Sequence, residues 1–171
     1  IIPVTISERL MSMSDIKVGS KLSGSGQFRS YNKLEDGKSK LLLTVFLREV
    51  MPYSESDNPN MIEIVGYVCK EPVYRTTPFN REITDVLLAV NRSYNKSDYL
   101  PCIAWGRNAR FVRDFAVGDK VSVSGRIQSR EYQKKVGDEV VTRVAYEVSL
   151  NKIELIKEDL GVDTIMTSAG E

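Results

Sequence analysis

The sequence has 171 residues, 42% hydrophobic and 27% charged, with 24 Lys and Arg against 23 Asp and Glu. That length and composition are typical of one or two small globular domains, each with a real apolar core. A net charge of +1 excludes a basic tail that coats nucleic acid, and no apolar run is long enough to cross a membrane.

The first 51 residues read as a short strand, a helix and a hairpin. Asp36-Gly37 marks the hairpin turn between two strand-like runs. The chain begins in a β-like run without Met and without the basic segment of a signal peptide, so we expect an N-terminal extension and no secretion signal. The predicted elements are a strand over residues 1–6, a helix over residues 7–16, and strands over residues 21–31 and 41–51.

A linker over residues 52–60, rich in Pro, Ser and Asn, separates this segment from the rest. Gly66 lies inside the next predicted strand and indicates a bulge or sharp bend of the kind that small barrels need. The order β-β-β-α-β-β with short strands predicts a mainly β fold, a five-stranded Greek-key barrel with a short helix between strands three and four. The predicted elements are strands over residues 61–68, 83–92 and 99–105, a helix over residues 108–116, and strands over residues 120–129 and 140–155. A loop is predicted over residues 69–82, and a polar turn at QKKVGDE, residues 133–139.

Two hairpins of the chain are similar in sequence. VGSKLSGSGQFRS at residues 18–30 and VGDKVSVSGRIQS at residues 117–129 are identical at seven of thirteen aligned positions. Upstream, Pro3 in IIPVTIS aligns with Pro101 in YLPCIAW. Chance similarity of two hairpins is the alternative to a true repeat. A true repeat predicts the C-terminal half of a first barrel at residues 1–51 and a complete barrel at residues 61–157. The acidic composition of the chain end predicts a tail at residues 158–171.

Charge is unevenly distributed along the chain. Residues 61–150 contain 14 Lys and Arg against 11 Asp and Glu, whereas residues 151–171 contain 2 against 5. A mildly basic body with an acidic end fits a polyanion-binding domain with a solvated tail, and a charge-balanced surface is the alternative.

The residue types that many enzymes and metal proteins use are scarce. The sequence has no His, and Cys69 and Cys102 are too far apart to form a metal-ligand cluster. It contains neither a Gly-rich phosphate loop nor a nucleophile elbow. We therefore expect no enzymatic activity, no cofactor and no metal, and we expect both thiols to be buried and reduced.

Aromatic and basic residues alternate in the stretch NRSYNKSDYLPCIAWGR, residues 91–107. It holds the only Trp of the chain, Trp105, together with Tyr94 and Tyr99. Aromatic faces stack on bases, and interleaved cations neutralise the phosphates between those bases. The stretch therefore predicts a surface for single-stranded nucleic acid. The alternative is a hairpin whose aromatic residues merely cover a core.

With these residues in view, the chain resembles the bacterial single-stranded DNA-binding protein family in its tandem-domain form. The matching segments cover nearly all of residues 61–157 in the order and spacing of the family. The resemblance implies an oligonucleotide-binding (OB) fold that coats and protects exposed DNA strands in replication, recombination and repair, largely independently of base sequence. The segments are EPVYRTTP, LLAVNRSY, DYLPCIAWGR, VGDKVSVSGRIQSREY and VAYEVSLNKIEL.

The resemblance also implies which residues bind DNA. In the first repeat, Ser7 occupies the position of Trp105, and Tyr31 corresponds to Tyr132 with a gap of one residue. The family more often has Trp where this chain has Tyr, which keeps the π face with less area. The aromatic positions of the family hold Tyr94, Tyr99, Trp105 and Tyr132, and its basic positions hold Arg75, Lys96, Arg107 and Arg130.

Further implications concern assembly, partners and location. The family implies a homodimer of tandem OB-folds that presents four barrels to DNA, replication and repair proteins as partners, and a cytoplasmic, nucleoid-associated location. The C-terminal LGVDTIMTSAGE lacks the Asp-rich, Pro-Phe tip with which the family docks its partners. The alternative function is that of a primosome-type OB-fold protein that acts mainly through protein partners. For residues 1–51, the remaining strands come from the same gene product, from another molecule, or not at all, and we favour the first.

Overall fold

The computed structural model describes residues 1–55, 60–159 and 162–167. The chain divides into two compact units, Ile1–Asn60 and Met61–Glu171, and the division falls at the end of the predicted linker. Residues 56–59 of that linker lie outside the described residues. Among the helices of the described part, none has the length and apolarity that a membrane crossing requires.

The first unit is a three-stranded sheet with one short helix. Strand β3 is central: β1 pairs with it in parallel and β2 pairs with it antiparallel. The predicted turn is confirmed, since Asp36 and Gly37 join β2 to β3 with φ values of 52° and 74°, in the left-handed region that a two-residue hairpin loop favours. The elements are β1 (Val4–Thr5), α1 (Glu8–Met13), β2 (Ser23–Glu35) and β3 (Lys38–Met51).

The second unit contains a closed barrel. Its strands follow the order β9-β7-β6-β4-β8, and β8 pairs back to β9, so that within residues 60–159 five strands close on themselves. Helix α2 lies between the third and fourth barrel strands, as predicted, and the predicted OB-fold class is confirmed. The elements are β4 (Ile62–Val68), β5 (Val73–Thr76), β6 (Glu82–Arg92), β7 (Lys96–Trp105), α2 (Arg107–Val112), β8 (Lys120–Val136), β9 (Glu139–Asp159) and β10 (Val162–Thr167).

Alternating side chains fill the barrel, and α2 packs against its strands β6, β7 and β9. In β8, Val121 and Val123 are buried while their neighbours in the strand are partly exposed. Such period-two burial is what a strand with one face on a core shows. The buried Thr84 hydroxyl of β6 donates to the carbonyl of Ala109 at 2.7 Å, which fastens α2 to the barrel wall.

The first unit repeats part of this barrel. In the first unit, Val4 of β1 pairs with Val45 of β3 in parallel. In the second unit, Cys102 of β7 pairs with Val148 of β9 in the same way. Helix α1 corresponds to α2, and the β2–β3 hairpin corresponds to the β8–β9 hairpin. Residues 1–55 contain no equivalents of β4 and β6. The prediction of a partial OB-fold before the complete one is therefore confirmed.

A bulge accounts for one of the two glycines that the repeats share, Gly26 and its counterpart Gly125. The β2–β3 ladder shifts register beside Gly26 and the β8–β9 ladder shifts beside Gly125, at the same point of each hairpin. A Cβ at Gly26 would overlap the carbonyl oxygen of Phe46, and a Cβ at Gly125 would overlap that of Ser149. Only glycine lets the backbones approach this closely.

Some predicted boundaries are wrong. Helix α2 ends at Val112 rather than at residue 116, because the Phe115 N–H bonds back to the Val112 carbonyl in a tight turn. The segment predicted as a loop, residues 69–82, contains β5. The predicted turn QKKVGDE reduces to Gly137-Asp138, since β8 and β9 continue on either side of it.

The segment predicted as an acidic tail is partly strand. Strand β9 runs to Asp159, and β10 pairs antiparallel with it. Residues 160–161 and 168–171 lie outside the described residues.

Candidate nucleic-acid interface

The pleat of β7 separates its aromatic residues from its core residues. Leu100, Cys102 and Ala104 alternate along the strand and are buried inside the barrel. Tyr99 and Trp105 have the opposite parity and point outward, where Trp105 is 36% exposed. Side chains directly opposite each other in paired strands lie on the same face, so the strand register shows which other residues share the face of these two rings.

One cross-strand row brings together a cation and the Trp ring. Arg75 of β5 lies opposite Ile83 of β6, and Ile83 lies opposite Trp105 of β7. Because neighbouring strands are about 4.8 Å apart, the backbones at Arg75 and Trp105 are about 10 Å apart. Ile83 between them is buried. The row therefore places a guanidinium and an indole on one face with an apolar floor between them.

The same face continues across β9 and β8. Ile103 of β7 lies opposite Ser149 of β9, and Ser149 lies opposite Arg126 of β8. Moving along β8 in steps of two from Arg126 leads to Arg130 and Tyr132. We call this surface, formed by the outward residues of β5, β6, β7, β9 and β8, the outer face. It brings together five of the predicted residues: Arg75, Tyr99, Trp105, Arg130 and Tyr132.

The other three predicted residues lie at the two ends of β7. Tyr94 lies in the 3₁₀ turn Ser93–Asn95 between β6 and β7, with φ 65° and 94% of its surface exposed. Lys96 is the first residue of β7 and has the opposite parity to Tyr99. Arg107 begins α2, two residues beyond Trp105.

Buried and exposed carboxylates orient two of the arginines. Arg130 Nε lies 3.2 Å from Oε2 of Glu147, a residue only 4% exposed, and Gln128 Nε2 donates to the other carboxylate oxygen of Glu147 at 3.0 Å. Arg75 Nε lies 3.1 Å from Asp85 Oδ2 in a more exposed pair, which adds little stability. A guanidinium has five N–H donors, so each arginine retains donors for a phosphate.

The sequence of the second unit matches a known family. Residues 59–156 match the sequence model described as Single-strand binding protein family. The chain belongs to this family. The match spans most of the closed barrel, including every residue of the outer face named above.

Individual relatives agree with this assignment. Single-stranded DNA-binding protein 1 of Staphylococcus aureus is 36% identical over 93 residues, which are 50% of this chain and 56% of that protein. Single-stranded DNA-binding protein A of Bacillus subtilis is 34% identical over 96 residues, 52% and 56% of the two chains. The chain thus spans a little over half the length of these curated relatives.

The fold likeness extends over both units. A crystal structure of a deletion mutant of the single-stranded DNA binding protein from Thermus aquaticus superposes with a TM-score of 0.74. The superposition covers 92% of this chain and 71% of that chain at 22% sequence identity, so it concerns the fold alone.

The outer face also holds residues that the sequence did not single out as site residues. Arg126 and Gln128 share it with Arg130, and the alternation of polar and apolar residues along β8 was a signal for them. Arg92, one of the interleaved cations of residues 91–107, pairs with the buried Asp98 at the base of the β6–β7 hairpin, where its Nε lies 2.8 Å from Asp98 Oδ2.

The first unit presents a different surface at the corresponding positions. Ser7, at the position of Trp105, caps α1: its hydroxyl accepts the Leu10 N–H at 3.2 Å. Tyr31 corresponds to Arg130, not to Tyr132 as predicted, because both hairpins carry the bulge at the same point and no gap is needed. The Arg29 guanidinium lies 4.2 Å from the ring centre of Phe46, a cation–π pair on this face.

The two cysteines differ in burial. Cys102 is buried in the barrel, as predicted, and burial together with the neighbouring Glu147 carboxylate raises the pKa of its thiol. Cys69 is only half-buried, which corrects the prediction, although burial also raises its thiol pKa. Both are free cysteines, and Cys102 contributes to the core beneath the outer face.

Proposed function

We propose that this chain binds single-stranded DNA, largely independently of base sequence, by stacking bases and contacting phosphates. The observation that carries the proposal is the outer face, which has aromatic rings and guanidinium groups on one continuous sheet surface. Every base has a π face, so rings of this kind bind a single strand without reading its sequence.

All eight residues selected from the sequence have a role in the proposal. Five share the outer face, and three lie at the ends of β7. In this role the protein coats and protects exposed strands in replication, recombination and repair, in the bacterial cytoplasm on nucleoid DNA, and no catalytic chemistry is part of it. The proposed stacking residues are Tyr94, Tyr99, Trp105 and Tyr132, and the proposed phosphate contacts are Arg75, Lys96, Arg107 and Arg130.

A fluorescence titration tests this proposal directly, because Trp105 is the only Trp in the chain. We expect single-stranded DNA to quench its emission in a saturable way, since a base would stack on the exposed part of the indole. Duplex DNA of the same length should quench little, because its bases are already stacked on each other. Absence of binding to either DNA would favour the primosome-type alternative, in which this fold acts through protein partners.

We further propose that the protein is a homodimer. Val65 and Tyr67 alternate on the outward side of β4 and form an exposed apolar stripe, with 54% of Val65 accessible. A second copy of the chain that covers this stripe would remove it from water. Replication and repair proteins that use the coated strand are further proposed partners.

The substitution Val65→Lys should halve the mass measured by light scattering, because a charge buried in the dimer interface would be unpaired. Val117→Lys, at an exposed Val that follows α2, is the matched control and should leave the mass unchanged. A wild-type protein that is monomeric at all concentrations would contradict the dimer.

A further inference from the structure

A cleft lies beside Trp105, beyond the end of the outer face. Its volume is about 530 Å³, within the range of sites that hold small organic molecules. Its lining residues include one aromatic residue, Trp105, and two cationic residues, Arg81 and Arg110. An aromatic wall together with two cations suits a nucleotide, whose base is flat and whose phosphate is an anion.

The turn between β5 and β6 forms one side of the cleft and is held by its own hydrogen bonds. The Thr77 N–H donates to the Arg81 carbonyl at 2.8 Å, and the Arg81 N–H donates to the Thr77 hydroxyl at 3.1 Å. Asn80, at φ 61°, donates its N–H to the Thr77 carbonyl at 2.8 Å. The turn therefore presents the Arg81 side chain from a fixed backbone, which lowers the entropic cost of binding.

The opposite side of the cleft is fastened to β6. The Gly106 N–H donates to the Glu82 carbonyl at 2.9 Å, and Arg110 Nη1 lies 2.7 Å from Glu82 Oε2. Arg110 is thereby positioned by Glu82 and retains other N–H groups of its fork for an anion. The backbone bond also holds Gly106, the residue after Trp105, beside Glu82.

An exposed aromatic residue stands next to the cleft. Phe79 lies at the tip of the same turn, next to the lining residue Asn80, and 89% of its surface is accessible. A Phe side chain so exposed contributes little to the core. On a rigid turn beside a cationic cleft it offers a second flat surface for a base.

We propose that the cleft is a nucleotide subsite through which the bound DNA strand continues beyond Trp105. A base stacks on Trp105 at the cleft wall, Arg81 and Arg110 contact the adjacent phosphate, and the next base stacks on Phe79. This inference rests on the proposed single-strand binding, and it adds Phe79, Arg81 and Arg110 to the eight residues selected from the sequence.

Binding of labelled oligothymidylates of increasing length to the full chain, followed by fluorescence anisotropy, tests the role of Phe79. Phe79→Leu keeps an apolar side chain but removes the π face, so it should weaken binding of long oligonucleotides by about 5-fold to 150-fold. The shortest oligonucleotides that the wild type binds should be unaffected, since they need not reach the turn. Phe79→Tyr retains the ring and should bind like the wild type.

Salt dependence tests the phosphate contact. Arg81→Gln should lower the slope of log affinity against log salt by about 0.7, the value for one phosphate contact of a single strand. Arg113→Gln, an exposed arginine just after α2 that does not line the cleft, is the matched control and should leave the slope unchanged.

The outcomes separate this inference from the proposed function. Wild-type affinity and slope in both Phe79→Leu and Arg81→Gln, together with weakened binding by Trp105→Ala, would overturn the subsite and leave single-strand binding intact. Equal loss in Phe79→Leu and Phe79→Tyr would overturn stacking at Phe79. Absence of single-strand binding by the wild type would overturn both proposals.

Discussion

Trp105→Ala should weaken the binding of single-stranded DNA by about 1–3 kcal/mol, the contribution of one base stacked on an aromatic side chain. Trp105 ends β7 on the outer face, and part of its ring is exposed to a ligand. Trp105 lies directly opposite the buried Ile83 of β6. Alanine therefore exposes some apolar surface of the barrel, which costs stability without unfolding it.

Fluorescence anisotropy of a labelled oligonucleotide measures this loss, because the variant has no Trp to report on binding. Trp105→Phe is the control: it retains a π face and should lose less affinity than alanine. The salt slope should not change in either variant, since neither removes a charge, whereas Arg130→Gln should lower it by about 0.7. Unchanged affinity in a Trp105→Ala protein with a wild-type circular dichroism spectrum would exclude Trp105 from the interface.

The barrel could be predicted because apolar and polar residues alternate along its strands or because characteristic turn residues separate the strands. Val121, Val123 and Gly125 repeat every second residue in the sequence and face the core in the structure. Strand β5 was missed because its four residues are all exposed and show no alternation. The end of β8, residues 133–136, was predicted as part of a turn for the same reason, since residues 130–140 are exposed on both faces.

The candidate site was predictable in part. The common parity of Tyr99 and Trp105 can be read from the sequence once β7 is recognised. The row that joins Arg75 to Trp105 cannot be read from the sequence. It depends on the register of two ladders, β5–β6 and β6–β7, and the two residues are 30 positions apart in the chain. Phe79 and Arg81 could not be predicted as site residues, because no feature of the neighbouring sequence shows that their turn lies beside Trp105.

Comparison of the two repeats shows at which positions the fold requires one particular residue and at which positions the residue can vary. Both repeats have glycine at the bulge, Gly26 and Gly125, because the backbone there leaves no room for a Cβ in either hairpin. Ser7 and Trp105 differ because the position lies at the surface in both units, where one side chain caps a helix and the other is available to a ligand. Sequence identity between the units therefore indicates a common fold more strongly than a common ligand surface.

The two units should differ sharply in the cooperativity of their unfolding when they are produced separately. We expect residues 61–159 to unfold in one cooperative transition and residues 1–60 to show none. Val148, in the closed barrel, is completely buried, whereas its counterpart Val45 is partly exposed. Within residues 1–55 the two-residue strand β1 and strand β2 form the edges of the sheet, with no equivalents of β6 and β4 beside them. Sheets with open edges and a half-covered apolar face are marginally stable or associate.

Urea unfolding followed by circular dichroism distinguishes the two fragments. Light scattering at each protein concentration shows whether the fragment is monomeric or dimeric. A cooperative transition in residues 1–60 that remains when the fragment is monomeric would mean that this sheet is stable without further strands. A transition that occurs only together with dimerisation would mean that a second copy completes the sheet by pairing at its edges. The absence of any transition would mean that this sheet needs further strands, in the positions of β4 and β6, to fold stably, since those are the strands that bury the corresponding face in the second unit.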